Sequence, residues 1–77
     1  MTGGALRLFP NPATGAVQWS SLGSQAASVR VLDRSGRVVW TGLAPHFDTS
    51  DWAPGVYFVE AETRAGERLV ERLVVVH

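Results

Sequence analysis

The chain has 77 residues, with seven arginines and no lysine balanced by seven acidic residues, so its formal net charge is zero; 45% hydrophobic and 18% charged residues is a globular composition. A domain this short buries roughly 60% of its unfolded surface, which leaves no room for a second domain or a deep substrate cleft. Balanced charge removes the field that draws basic proteins to nucleic acid or anionic lipid. No run approaches the ~20 apolar residues that span a bilayer, and the lack of cysteine excludes disulfides and thiolate metal sites.

Met1-Thr2-Gly3-Gly4 has no apolar stretch of signal-peptide length and reads as a linker ahead of a single domain over residues 1–77, so export would rest on a signal carried by a longer parent. Beyond it, short apolar runs alternate with turn residues, and no stretch of about 10–12 residues keeps a helical period. The first strand is expected from Ala5 to Phe9. Pro10-Asn11-Pro12 stops it, because each proline lacks a ladder donor and holds its predecessor extended. Asn11 reads as a turn cap, and with proline in the middle position Asn11-Pro12-Ala13 is not a glycosylation acceptor.

A second strand is expected from Ala16 to Ser20 and a third from Ser28 to Asp33. Asp33-Arg34-Ser35-Gly36 then reads as a tight hairpin, with an aspartate to cap its own backbone and a glycine for positive φ, leading into a fourth strand from Arg37 to Thr41. A short fifth strand spans His46 to Thr49. Pro54 and Gly55 turn the chain into a sixth, Val56 to Thr63, and Arg64-Ala65-Gly66-Glu67 makes a second hairpin into the last, Arg68 to Val76. Seven short, mostly antiparallel strands predict an all-β, immunoglobulin-like sandwich.

Alternation places Tyr57, Val59 and Ala61 toward the core, with Val56, Phe58, Glu60 and Glu62 on the other face. Val29 and Val31 point inward and Arg30 outward, and Val38 and Trp40 share a face opposite Arg37, Val39 and Thr41. The last strand has no face that is polar throughout, since Leu69 and Val70 are adjacent and Leu73, Val74, Val75 and Val76 are continuous. That pattern predicts a strand buried on both sides, or one that bulges midway, rather than an exposed edge. The strand is expected to run to the end of the chain at His77.

Four segments follow one another in a telling order: Leu8-Phe9-Pro10-Asn11-Pro12-Ala13, then Val29 to Val39 with Asp33 and Gly36 at its turn, then Phe47-Asp48 to Trp52 ahead of Gly55-Val56-Tyr57-Phe58-Val59, and lastly Leu73-Val74-Val75-Val76. In order and spacing, over roughly Leu6 to His77, they resemble the type A C-terminal sorting domain of the type IX secretion system found in Bacteroidetes-type bacteria. The resemblance implies an immunoglobulin-like sandwich that serves as an address on a larger cargo protein, lying N-terminal to it. Implied partners are the translocon and the outer-membrane shuttle and sortase components, the sortase attaching cargo to lipopolysaccharide. The implied route is periplasm in transit, then cell surface or extracellular space. Members commonly carry lysine on the closing strand, where this chain has Arg68, Arg72 and His77.

A folded label must present shape and a few anchors, so the expected recognition element is the last strand: Arg68, Leu69, Val70, Glu71, Arg72, Leu73, Val74, Val75, Val76 and His77, with Glu71 and Arg72 as exposed polar contacts. Phe9, Pro10, Asn11, Pro12, Asp33, Gly36, Gly55 and Tyr57 form the structural motif. No catalytic residue, metal ligand or cofactor is expected, because His46 and His77 lie in a loop and at the chain end, away from any plausible triad. Asp48, Ser50 and Asp51 have calcium-loop residue types without the ordered spacing, so they read as turn caps. Trp19, Trp40 and Trp52 raise an alternative, an adhesion or carbohydrate-binding module, if their rings form an exposed coplanar patch. A plain structural spacer is a third reading.

Overall fold

Apolar residues at alternate positions mark seven strands in the computed structural model, which describes residues 5–23 and 25–77; the expected linker at 1–4 lies outside the described residues. They are β1 (Ala5–Phe9), β2 (Ala16–Leu22), β3 (Ala26–Leu32), β4 (Val38–Thr41), β5 (His46–Asp48), β6 (Gly55–Thr63) and β7 (Arg68–Val75). A three-stranded sheet in the order β1-β2-β5 faces a four-stranded sheet in the order β4-β3-β6-β7, and every strand pairing is antiparallel. This is an all-β sandwich of immunoglobulin-like arrangement, with β4 hydrogen-bonded to β3 on the larger sheet.

The inward faces of the two sheets make the core. Val17, Val31, Val59, Leu73, Val75 and Ala13 are sealed from solvent, and Leu6, Val29, Phe47, Tyr57 and Ala61 pack around them. Tyr57, Val59, Ala61, Val29 and Val31 therefore face inward as the alternation requires, while Arg30 on the outer face bonds Glu60 across the pair. One row of aromatic rings crosses between the sheets: Trp40 lies 5.0 Å from Phe47, Phe47 stacks on Trp52 at 5.6 Å and 11°, and Trp52 meets Tyr57 at 5.1 Å. Such pairs are worth about 0.5–1.5 kcal/mol each beyond their burial.

Two bulges defeat simple alternation. The β3–β6 register shifts between Ala26 and Ser28, so β3 starts two residues before its period-two pattern and Ala26 turns inward. The β3–β4 register shifts as well: Val31 faces Trp40 and Leu32 faces Val38, which leaves Val39 as the extra residue. Val39 and Trp40 consequently both pack against the core while Val38 is 42% exposed, and the expected pairing of Val38 with Trp40 on one face does not hold.

The last strand also corrects the expectation. β7 is an edge strand, and its register with β6 runs unbroken from Glu62↔Arg68 to Gly55↔Val75, with neither a bulge nor burial on both faces. Leu73 and Val75 are buried and Leu69 is half-buried on the inner face, whereas Val70 and Val76 stand exposed on the outer one. The apolar run on Leu73, Val74, Val75 and Val76 thus combines a core face with an apolar solvent face.

This division of faces sets two expected outcomes in urea unfolding. Leu73→Ala should cost about 2–5 kcal/mol, a large part of the total of about 5 kcal/mol for a marginal domain. Val70→Ala, at a position 52% exposed, should change stability by less than about 1 kcal/mol.

Candidate recognition site

The outward side of β7 is built by the first turn of the chain. In an antiparallel pair, alternate residues direct both backbone groups at the partner, so the odd-numbered residues of β7 bond β6 and the even-numbered ones point away from the sheet. Several of these outward groups are met by the segment after β1. The Ala13 N–H donates to the Val74 carbonyl at 2.8 Å, and the Val76 N–H donates to the Ala13 carbonyl at 2.8 Å, a parallel bridge between Ala13 and Val75. The Asn11 side chain extends the pairing: its Nδ2 donates to the Arg72 carbonyl at 2.8 Å and its Oδ1 accepts from the Val74 N–H at 3.1 Å.

Asn11 is therefore more than a local turn cap, because its amide stands in for a strand residue beside β7. Pro10 and Pro12 supply no backbone donor, and it is the Asn11 side chain that donates to β7 from this turn. Phe9 makes no comparable contribution; it is 72% exposed and stays outside the core. Beyond β7, His77 Nε2 donates to the Trp52 carbonyl at 2.9 Å, tying the residues after the strand to the loop before β6.

The remaining motif residues set the turns that frame β6 and β7. Asp33 Oδ1 accepts from the Ser35 hydroxyl at 2.7 Å, the Ser35 N–H at 2.9 Å and the Arg37 N–H at 3.0 Å, while Gly36 takes φ +88° to close the hairpin. Hydrogen bonding from Ser35 and then Arg37 holds the Asp33 carboxyl below its ordinary value. Thr63 plays the matching part in the second hairpin, its hydroxyl accepting from the Glu67 N–H at 3.1 Å. Gly55, at φ +148°, admits the chain to β6 after Pro54. Two residues on, the Tyr57 hydroxyl donates to the Ala53 carbonyl at 2.6 Å, a tyrosine corner that fixes the entry to β6.

The cluster at Asp48 resolves as a turn. Its Oδ1 accepts from the Ser50 hydroxyl at 2.6 Å and the Ser50 N–H at 2.9 Å, and these bonds, the hydroxyl first, lower its pKa. Among the described residues no group of three histidine, cysteine or acidic side chains is placed to hold a metal ion, and no hydrogen bond joins a histidine to a serine or aspartate side chain. The three tryptophans are packed against the core, with Trp19 Nε1 donating to the Ala44 carbonyl at 2.7 Å, and they form no exposed coplanar patch. No helix of the described residues is long and apolar enough to cross a membrane.

The outer face over β6 and β7 is mixed. Its cross-strand neighbours run Val56 with Val74, Phe58 with Arg72, Glu60 with Val70, and Glu62 with Arg68. The Arg30–Glu60 pair at 2.9 Å is partly exposed and contributes little to stability, though it neutralises Glu60. Arg68 and Arg72 make no ion pair among the described residues.

Among known families, the secretion system C-terminal sorting domain matches residues 7–76. The chain belongs to this family. The match takes in the proline turn, both hairpins and all of β7. No curated protein and no solved structure matches the chain. The family is one of C-terminal sorting signals for type IX secretion, not of enzymes, and its members sit C-terminal to a cargo that is carried across the outer membrane.

Two outcomes follow for the sorting domain. Asn11→Ala removes two side-chain bonds to an exposed edge and should cost about 1–2 kcal/mol, with faster amide exchange at Val74 as the local signature. Asp33 and Asp48 titrate below 3.8 when folded, so the stability they add is present above pH 3.8 and is lost as pH falls through their lower folded values. Carboxyl shift titrations should give both midpoints below 3.8, and Asp33→Asn should flatten the acid limb of the stability profile.

Proposed function

We propose that this domain is read in its folded form, and that β7 with the residues after it, positions 68–77, is the element the type IX machinery inspects. The translocon and the outer-membrane shuttle and sortase components are its partners. The cargo passes through the periplasm and arrives at the cell surface or outside the cell, anchored there by the sortase. The observation that carries this reading is the pinning of β7 from both sides: β6 along its length, and Asn11 and Ala13 along its outer edge. A strand so fixed presents its exposed side chains at invariant spacing, which lets a receptor bind without the entropy cost of ordering a loose tail.

Arg68, Glu71 and Arg72 are the exposed charged groups of that strand and serve as its polar contacts. Arginine presents a planar fork of donors, suited to a carboxylate or a backbone carbonyl pair, where lysine would present a point charge. Leu69, Leu73 and Val75 hold the register from the core side, and Val70, Val74 and Val76 give the outer face its apolar character.

The test is a reporter carrying this domain at its C-terminus in a type IX-competent cell. The intact fusion should reach the surface or medium, and removal of residues 68–77 should leave the reporter in the periplasm. Because that removal also strips Leu73 and Val75 from the core, a triple alanine variant at Arg68, Glu71 and Arg72 provides the folded control and should lower export as well. Normal export of both altered fusions would overturn the proposal.

A further inference from the structure

The clamp on β7 is partial, and its unclamped part is a built docking edge. Asn11 and Ala13 satisfy the outward groups from the Arg72 carbonyl to the Val76 N–H. The outward groups before that point have no partner among the described residues: the Arg72 N–H, the Val70 N–H and carbonyl, and the Arg68 carbonyl. Arg68, Val70 and Arg72 are all exposed there. The turn at residues 64–67 bounds this stretch at one end and Asn11 at the other. Such an edge offers a row of donors and acceptors spaced for one short extended segment.

Charge decides which segment fits. On the outer face, a strand added beside β7 would meet Arg68, Val70 and Arg72 in alternation, two unpaired cations flanking an apolar residue. A second copy of this chain is a poor occupant. Antiparallel self-pairing centred on Val70 sets Arg68 opposite Arg72, centring on Glu71 opposes Glu71 to itself, and centring on Leu69 opposes Glu67 to Glu71. Every such register places like charges face to face. The complementary occupant is heterologous and carries a carboxylate, an apolar residue and a second carboxylate at alternate positions.

We propose that residues 68–72 of β7 accept, by strand addition, a short extended acidic–apolar–acidic segment of a partner protein, with Asn11 setting the limit of the added strand. The proposal rests on the reading of β7 as the inspected element and specifies how that strand is held. Val70 gives the cleanest probe, because its N–H points away from β6, so Val70→Pro removes an edge donor without deleting a bond of the β6–β7 ladder.

The experiment titrates the 77-residue chain with a short capped peptide that alternates threonine with glutamate, valine and glutamate, followed by amide NMR and hydrogen exchange. Shift changes should centre on residues 68–72, and exchange at the Val70 and Arg72 amides should slow by about tenfold or more near saturation. The same peptide methylated on alternate backbone nitrogens, or with lysine in place of glutamate, should leave both signals unchanged. Val70→Pro should abolish binding; should that variant fail to fold, Arg68→Glu with Arg72→Glu keeps the ladder and should switch the preference to the lysine peptide. Absence of any edge response, or an equal response to the lysine peptide, would overturn strand addition. In cells, Val70→Pro in the reporter fusion should lower export by about tenfold. If removal of residues 68–77 blocks export while Val70→Pro and the charge-reversed fusion are exported normally, strand addition fails and the sorting element stands. Normal export after the removal itself would bring down both.

Discussion

The hydrogen bonds between Ala13 and β7, extended by the Asn11 amide, are the constraint on which the rest of this domain depends. They join residues 61 and 63 positions apart and tie the connection between β1 and β2 to the edge of the opposite sheet. Without them, the two sheets would be held together by side-chain packing and by loops, in a chain with no cysteine to close it covalently. Ala13 is itself sealed from solvent, so its backbone groups must find partners inside the protein, and β7 provides both. Closing so long a loop has an entropic cost that grows only slowly with length, whereas leaving two buried backbone groups unpaired would cost several times more.

Much of this fold was legible because most of its strands keep strict alternation. Tyr57, Val59 and Ala61 could be placed inward since β6 runs without interruption against β7 over that stretch, and against β3 from Phe58 onward, and the two hairpins announced themselves through Asp33 with Gly36 and through Gly66. The misreadings fall where one residue breaks the count. Val39 is the extra residue of a bulge, which turns two consecutive side chains toward the core, and a pattern with period two has no means of registering that. β7 differs from its expectation for another reason: an apolar residue on a solvent face and one in a core look alike in sequence, and it is the face of the strand that separates exposed Val70 from buried Leu73.

The candidate site was legible in part. The closing strand and the proline turn could each be picked out, but their contact could not, because nothing local in Pro10-Asn11-Pro12 points to a partner so distant in the chain. The Tyr57 hydroxyl falls in the same class: its position near the start of β6 fits a tyrosine corner, yet the bond to the Ala53 carbonyl depends on how the preceding loop is folded. That loop is fixed in turn by Trp52, stacked on Phe47 and holding His77 through its carbonyl. The aromatic row and the end of the chain are one assembly. Trp40 and Trp52, joined through Phe47, brace the segment from which the final residues hang.

On the proposed reading, scaffold and signal share one strand, and the period of two separates their positions except at Glu71, which is exposed although odd-numbered. In β7 the odd-numbered positions bond β6 with their backbone, and Leu69, Leu73 and Val75 among them pack toward the core, so changes there act through folding. The even-numbered positions turn their side chains to the outer face and their backbone groups to the far edge, where Arg68, Val70 and the Arg72 N–H are open and the Arg72 carbonyl and Val74 are held by the clamp. A label built this way can vary its outward residues without disturbing the sandwich, provided the turn that closes the far half of the edge is kept. Asn11 is then the residue at which the two roles meet. Its amide satisfies the strand and, by ending the clamp at the Arg72 carbonyl, defines how much of the strand's free edge is left unpaired.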